Sequence, residues 1–201
     1  MRALSTRKVP KKKTVRGFSI IELLLVVALV SVVAAFSIPA ATEAARYQQA
    51  ETSLETVKMQ MRLARQFSID QRRVHRVTFL VPRTVTLERL DSTGTVWTLL
   101  SSIALAGEIE FRLEPGVVAS GEGTPDGFST TSPINFNDAG EIFFRPDGSA
   151  VDALGRISNG IAHLSLAGSM KTARAVTLFG STGRIKGWRF ERNPDSSWGW
   201  N

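Results

Sequence analysis

One carboxylate stands where a carboxylate is costly. Glu22 is the fifth residue after Gly17 and heads an apolar run over 23–38, which Pro39 closes. A charge deep in a bilayer costs about 2.5–3.5 kcal/mol on insertion scales, and less near the interface. The residues alone leave two readings open. Glu22 snorkels at a membrane edge, or a cation meets it and neutralises it. The other candidates for chemistry are weaker. His75 and His163, the only two histidines, read as structural side chains rather than as a base or a ligand. Glu108, Glu110 and Glu114 alternate as a solvated strand face would. The stretch 135–141 sets several oxygens around Gly140 but lacks the spacing of a calcium loop, so an ordinary turn is expected. The Ser/Gly-rich stretches show no phosphate-loop pattern. No catalytic residue, metal or cofactor is expected.

The charge balance narrows the class. The chain of 201 residues has a formal charge of +7 and no cysteine, so disulfides and thiolate metal sites are excluded. Arg2, Arg7, Lys8, Lys11, Lys12, Lys13 and Arg16 precede Gly17 with no acid among them. Beyond residue 17 basic and acidic residues balance. The excess charge is therefore a property of the N-terminus and reads as targeting, not as a nucleic-acid footprint.

Residues 18–41 would span roughly 36 Å as a helix, enough for a hydrocarbon core of about 30 Å. Basic residues on one side only predict a cytoplasmic N-terminus, with the remainder across the membrane. Two rivals share this pattern: a secretory signal cut near Ser37-Ile38-Pro39-Ala40-Ala41, and an ordinary anchor. Neither accounts for Glu22.

The string Gly17-Phe18-Ser19-Ile20-Ile21-Glu22-Leu23-Leu24 resembles the processing motif of type IV prepilins and of the pseudopilins of type II secretion. The resemblance takes in the Gly, the following Phe, the Glu five residues on, the apolar run and Pro39. It implies a prepilin peptidase that cuts between Gly17 and Phe18 and methylates the new amine of Phe18. It also implies that the apolar helix is retained, and that Glu22 pairs with a terminal amine, often a neighbour's, so that one axial stagger is favoured.

The elements that carry these residues follow from periodicity. Tyr47, Ala50, Leu54, Val57, Met61 and Ala64 recur at steps of three and four, one face of a helix. A nearly continuous helix is predicted over 18–73, roughly 80 Å long, with a kink at Pro39 or, alternatively, two helices parted there. From residue 74 the period becomes two. Strands are predicted at 77–81, 84–90, 95–100, 108–113, 134–137, 141–145, 161–167, 173–179 and 184–190. Residues 116–133, rich in Gly, Ser, Thr and Pro, predict a mobile loop. The fold class expected is α+β: a type IV pilin-like fold, with one antiparallel sheet on the second half of a long helix. The divisions expected are a cleaved leader (1–17), a transmembrane or filament-core segment (18–46) and a periplasmic domain (47–201).

Phe144-Arg145-Pro146-Asp147-Gly148, Ala175-Val176-Thr177-Leu178 and Thr182-Gly183-Arg184-Ile185 resemble the C-terminal pattern of the GspH/FimT minor pseudopilins and minor pilins. The resemblance implies a structural subunit of a bacterial inner-membrane filament, in type II secretion or a type IV pilus. Its partners would be prepilin peptidase, other pilins and the membrane, and it would be an enzyme's substrate, not an enzyme. Some FimT-like members imply another role, DNA capture at a pilus tip. Here Arg184, Lys186, Arg189 and Arg192 lie among Trp188, Phe190, Trp198 and Trp200. Cations attract phosphates and exposed aromatics stack on bases. Equally, Trp188 and Phe190 would be core residues, with the cations facing solvent or the acidic 77–152 region of a neighbour.

Overall fold

The computed structural model describes residues 17–137 and 140–201, and the backbone but not the side chains of 36–40. The leader before Gly17 lies outside the described residues, as does the side chain of Pro39, on which the expected kink rests. Helix α1 spans Ile20–Gln71, 52 residues, and continues through position 39. The alternative of two helices parted there is not what forms. The chain divides into two units, Met1–Thr42 and Glu43–Asn201.

Among the described residues of the first unit the apolar side chains are exposed. Phe18 is 80% exposed, and Leu23 through Val33 are exposed on every side of the helix. In the second unit α1 is one-sided. Ala50, Leu54, Val57, Met61 and Ala64 are fully buried, as their three-and-four spacing predicts. Tyr47, expected on the same face, is half exposed because it sits where the sheet ends and takes polar partners instead. The helix stops at Gln71. Arg72 then takes a left-handed conformation, φ 50°, which turns the chain out of the helix.

Among the described residues eleven strands follow, paired antiparallel. The first sheet is built from β1 (His75–Leu80), β2 (Thr84–Leu90), β3 (Trp97–Ala104), β6 (Glu141–Phe144) and β7 (Ala150–Val151), in the order β3-β2-β1-β6-β7. Its inner face is set by alternation: Val77 and Phe79 on β1, Val85 and Leu87 on β2, Ile142 and Phe144 on β6 are buried. The second sheet is built from β4 (Glu110–Phe111), β5 (Ile134–Phe136), β8 (Gly160–Leu166), β9 (Ser169–Phe179), β10 (Arg184–Arg192) and β11 (Trp198–Trp200). Its order is β11-β10-β9-β8-β4, with β5 also on β8. Every residue of β8 is buried, as suits a central strand.

The expectation of one sheet is thus corrected to two. The physical reason lies in where the aromatic residues go. Phe79 of the first sheet meets Phe111 edge-on at 5.6 Å and stacks on Phe136 at 5.1 Å, both from the second sheet. A single flat sheet would hold these rings apart. The sheets are also joined by backbone: Ala150 N donates to Gly180 O at 2.7 Å, and Ser158 N to Ala150 O at 3.0 Å. No side chain fits there. A Cβ on Gly180 would lie 2.4 Å from Ser158 O and 2.6 Å from Ala150 O.

The loop over 116–133 departs from expectation too. Its composition predicts mobility, but it is tied at several points. Trp200 Nε1 donates to Val118 O at 2.7 Å, and the Phe128 ring packs on Phe179 at 4.9 Å. Asp126, in a short 3-10 turn at Pro125–Gly127, accepts from Thr177 Oγ1 at 2.5 Å. Polar loop residues here find polar partners on the sheet, which composition does not reveal.

Gly180→Ala should destabilise the folded chain by about 1–3 kcal/mol, the usual cost of overpacking. Thermal unfolding followed by circular dichroism would show it as a lowered midpoint. An unchanged midpoint would mean the two sheets can part at this junction without loss.

Candidate functional site

Gly17, Phe18 and Glu22 sit at the start of α1. Leu23 N donates to Ser19 O at 3.1 Å, closing the first turn, and Glu22 lies within that turn, at the positive end of the helix dipole. The geometry thus places the carboxylate four residues from Phe18 on an apolar, outward-facing helix. Such a helix, apolar all round, needs apolar surroundings. Among the described residues no helix is long and apolar enough to cross a membrane. The apolar run read in the sequence extends into 36–40, whose side chains are not described.

A second constellation lies along one edge of α1, where it meets β9 and β10. Glu43 pairs with Lys171 Nζ at 2.5 Å. Tyr47 Oη donates to Glu191 at 2.8 Å. Glu51 accepts from Arg189, through Nε at 2.9 Å and through Nη2, and from Arg174 Nε at 3.4 Å. Arg174 is fully buried. Its guanidinium also donates to the carbonyls of Lys171 and Ala173, and lies 4.6 Å from the Tyr47 ring. Further along, Gly187 lets β10 approach the helix: a Cβ there would lie 2.8 Å from Lys58 Cδ. Last comes Arg65, whose Nε and Nη2 donate to Gly148 O at 3.0 Å and Thr182 O at 3.2 Å. Positions 43, 47, 51 and 65 follow helical spacing, so their contacts form a single polar seam, with the Lys58 stem packed over Gly187 between them.

The electrostatics agree. The hydrogen bond from Arg189 holds the Glu51 carboxyl below the usual range against some burial, and the same bond raises Arg189. The bond to Glu191 raises the Tyr47 phenol.

The four tail cations named from the sequence are therefore engaged within the chain, each differently. Arg189 belongs to Glu51. Arg184 pairs with Asp126 at 3.0 Å and lies over Phe179. Lys186 sits over the Trp188 ring, its Nζ 3.3 Å from the centroid. Arg192 donates to Ser196 O at 3.4 Å. The aromatics are engaged as well: Phe190 is buried, Trp188 Nε1 donates to Thr177 Oγ1 at 3.1 Å, and Trp198 stacks on Phe190. Sequence reasoning missed the acids that hold two of these cations, Asp126 for Arg184 and Glu51 for Arg189.

Of the remaining candidates, Glu114 is corrected. It is 6% exposed, not solvated, because it accepts from Gly168 N at 2.8 Å and Arg112 Nε at 3.0 Å. Among the described residues no acidic or histidine cluster could hold a metal. Residues 138 and 139 of the 135–141 turn lie outside them. His75 is buried against Phe67, its Nδ1 3.1 Å from Arg73 O. His163 is buried beside Trp200, and neither ring nitrogen has a partner.

The sequence pattern of the prokaryotic N-terminal methylation motif matches residues 12–38. No curated protein matches the chain. Among solved structures the fold is similar to the type IV minor pilin FimU of Pseudomonas aeruginosa (TM-score 0.47, 13% identity, covering 75% of this chain and 92% of that one). A second crystal form of FimU gives 0.45 and 12%, covering 74% and 95%. The minor pseudopilin EpsH of the Vibrio cholerae type 2 secretion system gives 0.45 and 14%, covering 69% and 94%. These similarities are weak, and the architecture rests on the elements described above. A methylation motif thus opens an apolar helix that continues into a helix packed on antiparallel sheets, an α+β build.

Burial pushes the His163 imidazole down to about 4. The unfolded chain takes up this proton near the ordinary value of about 6.5, and the folded chain does not. Stability should therefore be intact above about pH 6.5 and fall as pH drops towards 4, by on the order of 3 kcal/mol. Denaturant titrations of the wild type and His163→Phe across that range would check it. Parallel acid slopes in the two proteins would rule His163 out as the cause.

Proposed function

We propose that this chain is a minor subunit of an inner-membrane-anchored filament, of the GspH/FimT kind, serving type II protein secretion as an H-type pseudopilin or type IV pilus assembly. The observation that carries this is the methylation motif over 12–38, set on an exposed apolar helix that runs into the packed helix of the second unit. In this reading the leader 1–17 stays cytoplasmic. Prepilin peptidase cuts between Gly17 and Phe18 and methylates Phe18. Residues 18–46 then serve first as a membrane span and later as filament core, with a helix kink at Pro39. Residues 47–201 form the periplasmic domain.

Glu22 acquires its role from cleavage. The new ammonium of Phe18, on the same or a neighbouring chain, neutralises the carboxylate in an apolar setting. Only one stagger of adjacent helices brings the two together, so the pair sets axial register. For the tail the structural role is the reading favoured over DNA capture, because two of its four cations, Arg184 and Arg189, are held by Asp126 and Glu51.

Mass spectrometry of chain matured with a prepilin peptidase should show an N-terminus at methylated Phe18. A mature chain still beginning at Met1, or one cut near Ala41, would be incompatible with this reading. Glu22→Leu should still insert and be cleaved, since it removes a charge from an apolar segment, yet enter filaments poorly. Sheared-filament fractions measure that. Equal recovery of mutant and wild type would leave Glu22 as a side chain that merely snorkels.

A further inference from the structure

Of the sheet edges among the described residues, one is long. β4, β5, β7 and β11 have two or three residues each, but β3 has eight and ends the first sheet. No residue of β3 is buried. Its sequence, Trp97–Ala104, holds no charge and no proline, the residues that usually keep an edge from pairing with another chain.

The register fixes which main-chain groups this edge offers. Leu105 N donates to Arg83 O at 2.7 Å. Bonded and non-bonded pairs alternate along an antiparallel ladder, so Val85 bonds Ile103 and Leu87 bonds Ser101. Ser102 and Ala104 therefore turn their N–H and C=O away from β2. The far side of β2 agrees: Leu90 N donates to Val74 O at 3.0 Å, which commits Glu88, Thr86 and Thr84 to β1. Leu100 is the extra residue of a bulge. Beyond it Asp91 N donates to Val96 O at 2.9 Å, and the same alternation turns Trp97 and Leu99 outward. Among the described residues no main-chain group meets the edge there. These four side chains also share the outer face, opposite Leu90, Glu88, Thr86 and Thr84. Trp97 and Leu99 are large, and Leu99 is 57% exposed; Ser102 and Ala104 are small.

We infer that β3 is a docking edge, on which a different subunit of the filament lays an extended strand and so adds it to the first sheet. The unpaired groups select the occupant, because an extended backbone presents donors and acceptors at this spacing. The side chains select further: an uncharged strand, with its bulky residues opposite Ser102 and Ala104. A second copy is the wrong occupant. Two β3 edges, paired antiparallel like the strands within the chain, would close about a two-fold axis as a dimer. A minor subunit has other subunits for neighbours. The inference rests on the filament reading and gives residues 47–201 a contact of their own, beside the one set by Glu22.

Proline removes an N–H, and an edge strand tolerates it where that N–H faces out. Full-length Ser102→Pro replaces the wild type in the native host. It should be cleaved and keep its thermal midpoint. Its recovery in sheared filaments should fall roughly tenfold, the effect of a lost ladder bond that strands a partner's carbonyl. Ser102→Ala, which changes the side chain and keeps the N–H, should be recovered like the wild type. Ala104→Pro, at the strand end, repeats the test should Ser102→Pro not fold. Failure of both to fold would mean that these N–H groups serve within the chain, which overturns the inference. Normal recovery of a folded proline variant overturns it and leaves the filament reading standing. So does loss of Ser102→Ala, which would mean a side-chain contact. Absence of the wild type itself from filaments would overturn both. The chain has no cysteine, so Ala104→Cys reports a second copy. Dimers formed through it by a short bis-maleimide in native membranes would give the edge to a like partner, which also overturns the inference.

Discussion

A guanidinium with no exposure to water fixes much of this fold. Arg174 lies at the middle of β9, between α1 and β10, and an unpaired charge there would be prohibitive. Glu51 supplies the neutralising carboxylate, and two main-chain carbonyls and the Tyr47 ring take up much of the rest. The solution constrains three elements at once. The turn of α1 that carries Glu51 must sit over Arg174, and β10 must bring Arg189 to the same carboxylate. Shifting the helix by one turn would strand a buried cation. The apolar stripe Leu54–Val57–Met61 supplies most of the driving force for packing, but apolar contact is tolerant of sliding. The polar seam is not.

This arrangement also explains why the C-terminal segment looked like a ligand surface in the sequence. Four cations among four large aromatics is a composition shared by nucleic-acid grips and by a strand that closes a sheet against an acidic helix face. The difference lies in partners 138 and 58 positions away, Glu51 for Arg189 and Asp126 for Arg184. Spacing along a chain carries no information about pairings at that range. Local pattern served well where structure is local. The helical face, the nine expected strands and the change of period after residue 73 are all present. β7 and β11, of two and three residues, are too short to show a period. The division into two sheets depends on Phe79, Phe111 and Phe136 meeting across it, again a long-range fact. At the N-terminus the candidate site was legible because it is wholly local: Gly17, Phe18 and Glu22 fall within six residues.

The Phe-Arg-Pro-Asp-Gly and Thr-Gly-Arg segments, noticed separately in the sequence, have one physical explanation. Arg65 donates to a carbonyl in each of them, Gly148 O and Thr182 O. Gly183 takes φ 63°, and a Cβ there would lie 2.3 Å from both Arg65 Nε and Gly148 O. The two turns and one helical side chain are therefore a single unit of structure. Each glycine is required by the turn it serves and by the arginine that passes beneath it.

The layout of the seam has a mechanical consequence. Its contacts run parallel to the helix, at positions 43, 47, 51 and 65, and tie α1 to the strands and turns lying alongside. A pull along the helix axis loads such contacts in shear, all together, so the tension is shared and none yields alone. A pull at right angles would open them one after another, like a zip. A body fastened in this way resists stretching along its length far better than peeling from its side.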